Sequence, residues 1–283
     1  MTTAPARAHA EPFFLESAPG RRFCLFHPPL GPCRGAVLYI HPFAEEMNRS
    51  RRMAALQARA LADLGHGVLQ LDLHGCGESS GDFADARWAH WLADIEAGAA
   101  WLGRRLGERP LTLWGLRLGA LLAADYARAT RRPLAALVLW QPVLNGASYL
   151  TQFLRLRVAG DMLDAAGGQT STGALRQALA AGDSVEVAGY ELAPALATTL
   201  DTLDPLETMT PPCPVHWFEA TGPDGAGLPP GAARTAAGWQ SRGVVLHAHP
   251  VACPPFWTTP EITVCQAWLD ATSAALRETM DGA

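Results

Sequence analysis

The chain has no lysine: all 22 of its basic residues are arginine. A lysine Schiff base, a pyridoxal enzyme of the usual kind and a Walker A phosphate loop each need that amine, so all three are excluded. Cysteine is sparse and scattered. The six at 24, 33, 76, 213, 253 and 265 contain no CxxC pair, and they read neither as a zinc site nor as a disulfide framework. No apolar run approaches the roughly 18 residues of a membrane span, and Met1 to Pro12 has no apolar signal core. These absences lead to the expectation of a reduced, cytoplasmic protein with no membrane span. Charge is also thin, at 17% of residues with a net of −5, and no basic stretch suggests nucleic acid. Against this, 49% of the 283 residues are hydrophobic, ample for a large core and incompatible with disorder. One α/β core takes roughly 200–250 residues, so the length implies one large domain or such a core with an insertion.

Short apolar runs alternate with helical stretches, the pattern of a mainly parallel sheet covered on both faces. Strands are expected at 13–16 and 21–27 (a hairpin around Pro19-Gly20), 36–40, 68–72, 111–114, 134–140, 214–219 and 243–248. Helices are expected at 50–64, 88–106, 119–130, 231–241 and 260–277. Between 143 and 205 the rhythm changes to helical pieces at 148–158, 173–181 and 193–203, separated by Gly-rich breaks and without a clear buried strand. The expected organisation is a core of 1–142 and 206–283 with a helical cap at 143–205. No internal repeat is visible.

Gly115-Leu116-Arg117-Leu118-Gly119 joins a strand to a helix in the form small-x-nucleophile-x-small. That turn is the nucleophile elbow of the α/β-hydrolase fold, where side chains at ±2 would collide with the strand and helix they join. Its third position here is Arg117, which stays protonated and is no nucleophile. His41-Pro42-Phe43 stands where the fold places an oxyanion-hole loop. Pro42 has no amide hydrogen, so Phe43 and Leu118 are the expected donors. Asp72-Leu73-His74-Gly75-Cys76-Gly77-Glu78-Ser79 reads as an architectural turn, and it lacks the spacing of a dinucleotide fingerprint. Asp224 and His249 complete the chain order nucleophile, acid, histidine.

Several segments resemble the "hydrolase 2, exosortase A system-associated" family: His41-Pro42-Phe43-Ala44-Glu45-Glu46-Met47-Asn48, the elbow itself, Trp140-Gln141-Pro142-Val143, Gln152 to Arg157 and Val187 to Leu192. The likeness runs over about 13–277. It implies an α/β-hydrolase fold and a place beside the bacterial exosortase and exopolysaccharide machinery, with arginine at the elbow.

An arginine at a helix N-terminus faces the positive end of the dipole, unfavourable by ~0.3–1 kcal/mol, so an anionic partner is expected. Glu45 and Glu46, on the neighbouring strand's loop, are the candidates. Either one is also a candidate general base. The alternative is that Arg117 binds a substrate carboxylate or phosphate. His247 and His249 share a strand face, but no carboxylate stands at metal-ligand spacing, so no metal is expected. Asp224 sits in a turn sequence, which offers it a purely local role. Cys76 and Cys253 are possible displaced nucleophiles, although cysteines mostly serve as small buried hydrophobes. In the cap, Gln152 and Arg155 share a helix face by i,i+3 and are candidates to contact an anionic or sugar ligand, the alternative being a solvated cap surface. The expectation is therefore a hydrolase-like protein without cofactor, acting on or binding an ester or acyl-carbohydrate substrate at the carboxyl ends of the strands. A non-catalytic binding protein on the same fold is the alternative, and acyl transfer a third; oligomeric state is open.

Overall fold

The computed structural model describes residues 9–163, 170–222 and 227–281. Eight strands form one sheet, in the spatial order Glu11–Glu16, Arg21–His27, His66–Leu71, Gly35–Ile40, Leu111–Leu116, Leu134–Trp140, Val215–Thr221 and Leu246–Ala252. β1 (Glu11–Glu16) and β2 (Arg21–His27) are the antiparallel edge hairpin, and β2 also runs antiparallel to β4 (His66–Leu71). The others are parallel: β3 (Gly35–Ile40), β5 (Leu111–Leu116), β6 (Leu134–Trp140), β9 (Val215–Thr221) and β10 (Leu246–Ala252).

The central strands β3, β5 and β6 are apolar at nearly every position because both faces are covered. Period-two alternation divides them between two cores. Leu38, Ile40, Leu69, Leu113, Leu137 and Trp217 pack on one face, together with Ile95 of α2 (Trp88–Leu106), Leu122 of α3 (Leu118–Ala129) and Trp239 of α7 (Pro230–Ser241). Val37, Val68, Trp114, Trp140 and Phe218 face the other way, with Met53 of α1 (Glu45–Asp63) and Trp268 of α8 (Gln266–Asp281). Trp88, Trp91, Ile95 and Leu102 are buried at the helical spacing legible in the sequence. Gly65, at φ 93°, ends α1 in the left-handed conformation that glycine adopts without steric cost.

The segment between β6 and β9 holds α4 (Gly146–Leu163), α5 (Thr172–Ala181), the hairpin β7 (Val185–Val187) and β8 (Tyr190–Leu192), and α6 (Pro194–Thr202). The hairpin is a short, partly buried addition to the helical pieces expected there. Ala188 and Gly189 both take positive φ, the conformation of a two-residue hairpin turn. Two further elements are displaced from their expected ends. β10 begins at Leu246 because Gly243 (φ 85°) extends the preceding turn, so His249 lies inside the strand. α8 begins at Gln266 because the Thr259 and Thr263 hydroxyls bond the Glu261 carbonyl and hold a turn before it.

Candidate functional site at the strand-to-helix elbow

β5 runs straight into α3 through Arg117, whose φ of 55° and ψ of −118° lie where an L-residue is strained. The flanking glycines are obligatory. A Cβ on Gly115 would come within 2.4 Å of the Gly119 carbonyl oxygen, and one on Gly119 within 2.4 Å of the Ile40 and His41 carbonyls. Backbone bonds fix the bend: the Arg117 amide donates to Trp140 O (2.9 Å), and its carbonyl accepts from Ala120 (3.1 Å) and Val143 (3.2 Å).

The guanidinium is largely buried, with a side-chain exposure of 16%. Its Nε donates to Glu46 Oε1 at 3.2 Å, and Nη1 reaches Gln141 O at 3.5 Å. The rings of Tyr149 and Trp257 flank its central carbon at 5.7 and 5.5 Å, inside cation–π range. Of the two candidate partners, Glu46 is therefore the one that pairs. Burial raises its pKa, while Arg117 and the nearby Tyr149 hydroxyl pull the other way. Glu45 stands outside the pair, its pKa also raised by burial.

A cavity of about 350 Å³ opens over this floor. Arg117, Gln141, Asn145, Ser148, Gln152 and Glu219 supply its polar lining. Glu219, near the end of β9, was not singled out from the sequence. Its two oxygens accept from Gln141 Nε2 (2.6 Å) and Trp217 Nε1 (2.8 Å), and burial raises its pKa. Gln141 also accepts the Ala220 amide (2.7 Å) at a φ of 43°. The one available signal was a carboxylate and an amide each placed at the end of an apolar strand. Gln152 lines the cavity, whereas the exposed Arg155 does not.

The remaining candidates are dispersed. Both ring nitrogens of His41 are taken by backbone. The Leu73 amide donates to Nε2 (3.1 Å), so Nε2 must accept and Nδ1 carries the proton, which it donates to Pro42 O at 2.7 Å. Burial lowers the pKa of this ring, and the ring organises the loop. Phe43 is 3% exposed and packs edge-on to Phe83, Tyr149 and Phe153, joining the core to α4. Phe43 and Leu118 border a void of only about 10 Å³, about one water's worth of space. His249 is not brought to the elbow. Leu116, Trp140, Phe218 and His249 form one row across four strands, placing His249 three strand spacings, roughly 14 Å, from Leu116. Its ring stacks on Phe218 at 4.4 Å, and its Nε2 lies 3.2 Å from His216 Nδ1. Beyond β10 it is Trp257 that reaches the elbow. Asp224 lies outside the described residues. Burial pushes the Cys76 and Cys253 thiols well above the ordinary thiol range, which leaves both poor nucleophiles. The Asp72 turn is architectural: Asp72 Oδ2 accepts from the Glu78 amide and from Arg51, and the Ser79 hydroxyl accepts from the Phe23 amide. No cluster suited to a metal occurs among the described residues.

Residues 31–197, more than half the chain, match the family described as "Serine aminopeptidase, S33" (Hydrolase_4). The chain belongs to this hydrolase family. Relatives include human "Protein ABHD12B", 29% identical over 133 residues (46% of this chain and 35% of that protein). The "Lysophosphatidylserine lipase ABHD12" of Gallus gallus is 28% identical over 141 residues (48% and 36%). The chain spans about a third of the length of these relatives. Among solved structures, Est1E from Butyrivibrio proteoclasticus with bound ferulic acid superposes with a TM-score of 0.69 at 16% identity, covering 95% of this chain and 99% of that one. A thermostable carboxyl esterase from Bacillus coagulans gives 0.64 at 14% identity, covering 96% and 99%. The fold is that of the α/β-hydrolases, with a mostly parallel sheet flanked by helices.

Proposed function

We propose that this α/β-hydrolase-fold protein of the exosortase and exopolysaccharide system binds an ester or acyl-carbohydrate ligand without acyl-enzyme chemistry at position 117. The ligand lies between a cap at 143–205 and a core of 1–142 and 206–283, and the protein works in the cytoplasm. The association with exosortase rests on the resemblance of the elbow and of His41 to Asn48. The observation that carries the reading is the 3.2 Å pair between Arg117 and Glu46 at the apex of the elbow, with Trp257 overhead.

Acyl-enzyme formation needs a deprotonatable nucleophile with a base in hydrogen-bond reach. A guanidinium supplies no such atom. Glu46 is engaged by Arg117, and His249 is strands away. The cavity above nevertheless stays open, with amide, hydroxyl and aromatic groups suited to a polar ligand. Gln152, Ser148 and Arg117 are assigned to ligand contact. Glu46 holds Arg117, and Phe43 and Leu118 shape the floor.

The test combines fluorophosphonate labelling with a panel of ester and thioester substrates on wild type, Glu46→Gln and Arg117→Ala. No covalent adduct and no turnover are expected from any of the three. Stoichiometric labelling of the wild type, or turnover lost in Glu46→Gln, overturns the reading in favour of an enzyme.

A further inference from the structure

We infer that the elbow cavity is an anion site: it takes a small organic anion whose carboxylate or phosphate sits on the Nη1/Nη2 edge of Arg117. This deepens the ligand-binding reading above and rests on it. Glu46 holds only Nε. Nη1 has a single long contact at 3.5 Å, and Nη2 makes no hydrogen bond among the described residues. The fork therefore keeps an edge for a second, bidentate partner while Glu46 stays in place behind it. A guanidinium held by one carboxylate on Nε alone, between two aromatic rings, is oriented and only partly satisfied.

Donors stand in the cavity wall around that edge, beside the Glu219 carboxylate, which feels the Arg117 charge. Asn145 caps α4, its Oδ1 accepting the Ser148 amide at 2.8 Å, which leaves its side-chain NH₂ for the cavity. α7 starts at Pro230 without a side-chain cap, and the next two residues, Gly231 and Ala232, line the same cavity. Amides in a helix's first turn have no intrahelical acceptor. The N-terminal ends of α4 and α7 thus converge on the space faced by the guanidinium and add their positive dipole ends to it. Glu219, the one acidic residue of the lining, has both oxygens occupied by Gln141 and Trp217. Ser148 and Gln152 lie along the mouth on successive turns of α4, placed to take hydroxyls on the body of the ligand.

Binding is measured by calorimetry and thermal shift on the full chain. The probes are glucuronate for the carboxylate, glucose 6-phosphate and inorganic phosphate for the phosphate, and glucose as the neutral control, all at matched ionic strength in chloride. At least one anionic probe is expected to bind saturably and more tightly than glucose, and the two anion arms identify the headgroup. Arg117→Gln is expected to weaken that probe about tenfold or more, equivalent to ~1.4 kcal/mol. Because Arg117→Gln also strands Glu46, Ser148→Asp is the second variant. An acid in the first turn of α4 suits the helix dipole, so this variant folds, and its carboxylate in the cavity mouth repels the anion by a similar factor. Glucose binding as tightly as the anions, or anion binding unchanged in Ser148→Asp, overturns the inference while leaving the ligand-binding reading in place. Failure of every probe to bind overturns it too. That reading falls separately, through turnover or covalent labelling.

Discussion

A guanidinium at the first turn of α3 faces the wrong end of the helix dipole, so Arg117 depends on Glu46, and Glu46 equally depends on Arg117. Glu46 is 5% exposed, and its Oε2 is buried without a hydrogen-bond partner among the described residues. Removing Arg117 therefore leaves a buried carboxylate without its cation, with only the Tyr149 hydroxyl still favouring its charge. Arg117→Ala is expected to lose about 3 kcal/mol at neutral pH, the lower end of the usual cost of breaking a buried pair. The pH dependence has a definite sign. With its cation gone, Glu46 has a folded-state pKa raised further above its unfolded value, so the variant is most stable where Glu46 is protonated. It loses stability as pH rises from the unfolded carboxylate pKa through the folded one. Urea unfolding at pH 5 and pH 8 should show a larger deficit for Arg117→Ala at pH 8. Arg117→Ala combined with Glu46→Gln should abolish that pH dependence. Arg117→Ser is expected to gain no esterase activity despite its restored hydroxyl, because His41 is locked to backbone and His249 lies strands away. A burst of product from Arg117→Ser would contradict this.

At the scale of elements, the glycines of the elbow hold β5, α3 and the β3 loop in contact. Gly119→Ala is expected to destabilise by about 3 kcal/mol or more, since its Cβ meets two backbone carbonyls that cannot yield. Gly160, on α4, is the contrast, because a methyl group there would meet no atom within 4 Å: Gly160→Ala should stabilise by about 0.5–1 kcal/mol. Chemical denaturation of the two variants checks both signs. The edge hairpin has its own anchor. Arg22 and Asp94 are each fully buried and paired at 2.7 Å, and Asp94 also accepts the His74 amide at 2.8 Å. Asp94→Ala should cost about 3–5 kcal/mol, with hydrogen exchange rising first in β1 and β2. The elbow was legible in the sequence because sterics force small residues at 115 and 119 around whatever stands at 117. The pair with Glu46 was legible as far as a choice between two glutamates, because an arginine at a helix start demands an anion. Arg22–Asp94 and Glu219 were not legible, since their partners lie on other elements and no local pattern marks them. His249 was misplaced by three residues of turn: with the strand expected to end at 248 it read as a loop residue, and Gly243 moved the strand forward over it.

For the whole molecule, acid sensitivity follows from imidazoles held neutral in the interior. His66 is 3% exposed, neither ring nitrogen has a hydrogen-bond partner among the described residues, and burial pushes its pKa down to about 4. His216 is pushed to about 4 as well, by burial and then by the charges of His249 and His247. Each binds a proton more readily unfolded than folded. Their contribution is therefore complete above the unfolded value near 6.5 and is lost as pH falls towards 4. A shift of that size corresponds to roughly 3 kcal/mol per group. Glu46, Glu45 and Glu219, with raised pKa values, oppose this, because their burial favours the folded state as they protonate. The two trends overlap between about pH 4.5 and 6.5, so the net slope of stability there reports which set dominates. Burial also lowers the pKa of His27, His41 and His74, so the imidazoles outnumber the three carboxylates, and the expected result is a fall in stability from pH 7 to 5. His66→Gln, which cannot take the proton, should flatten that fall by the share of one group. If urea midpoints of wild type and His66→Gln keep a constant offset from pH 7 to 5, then His66 does not titrate with unfolding and the acid response has another source.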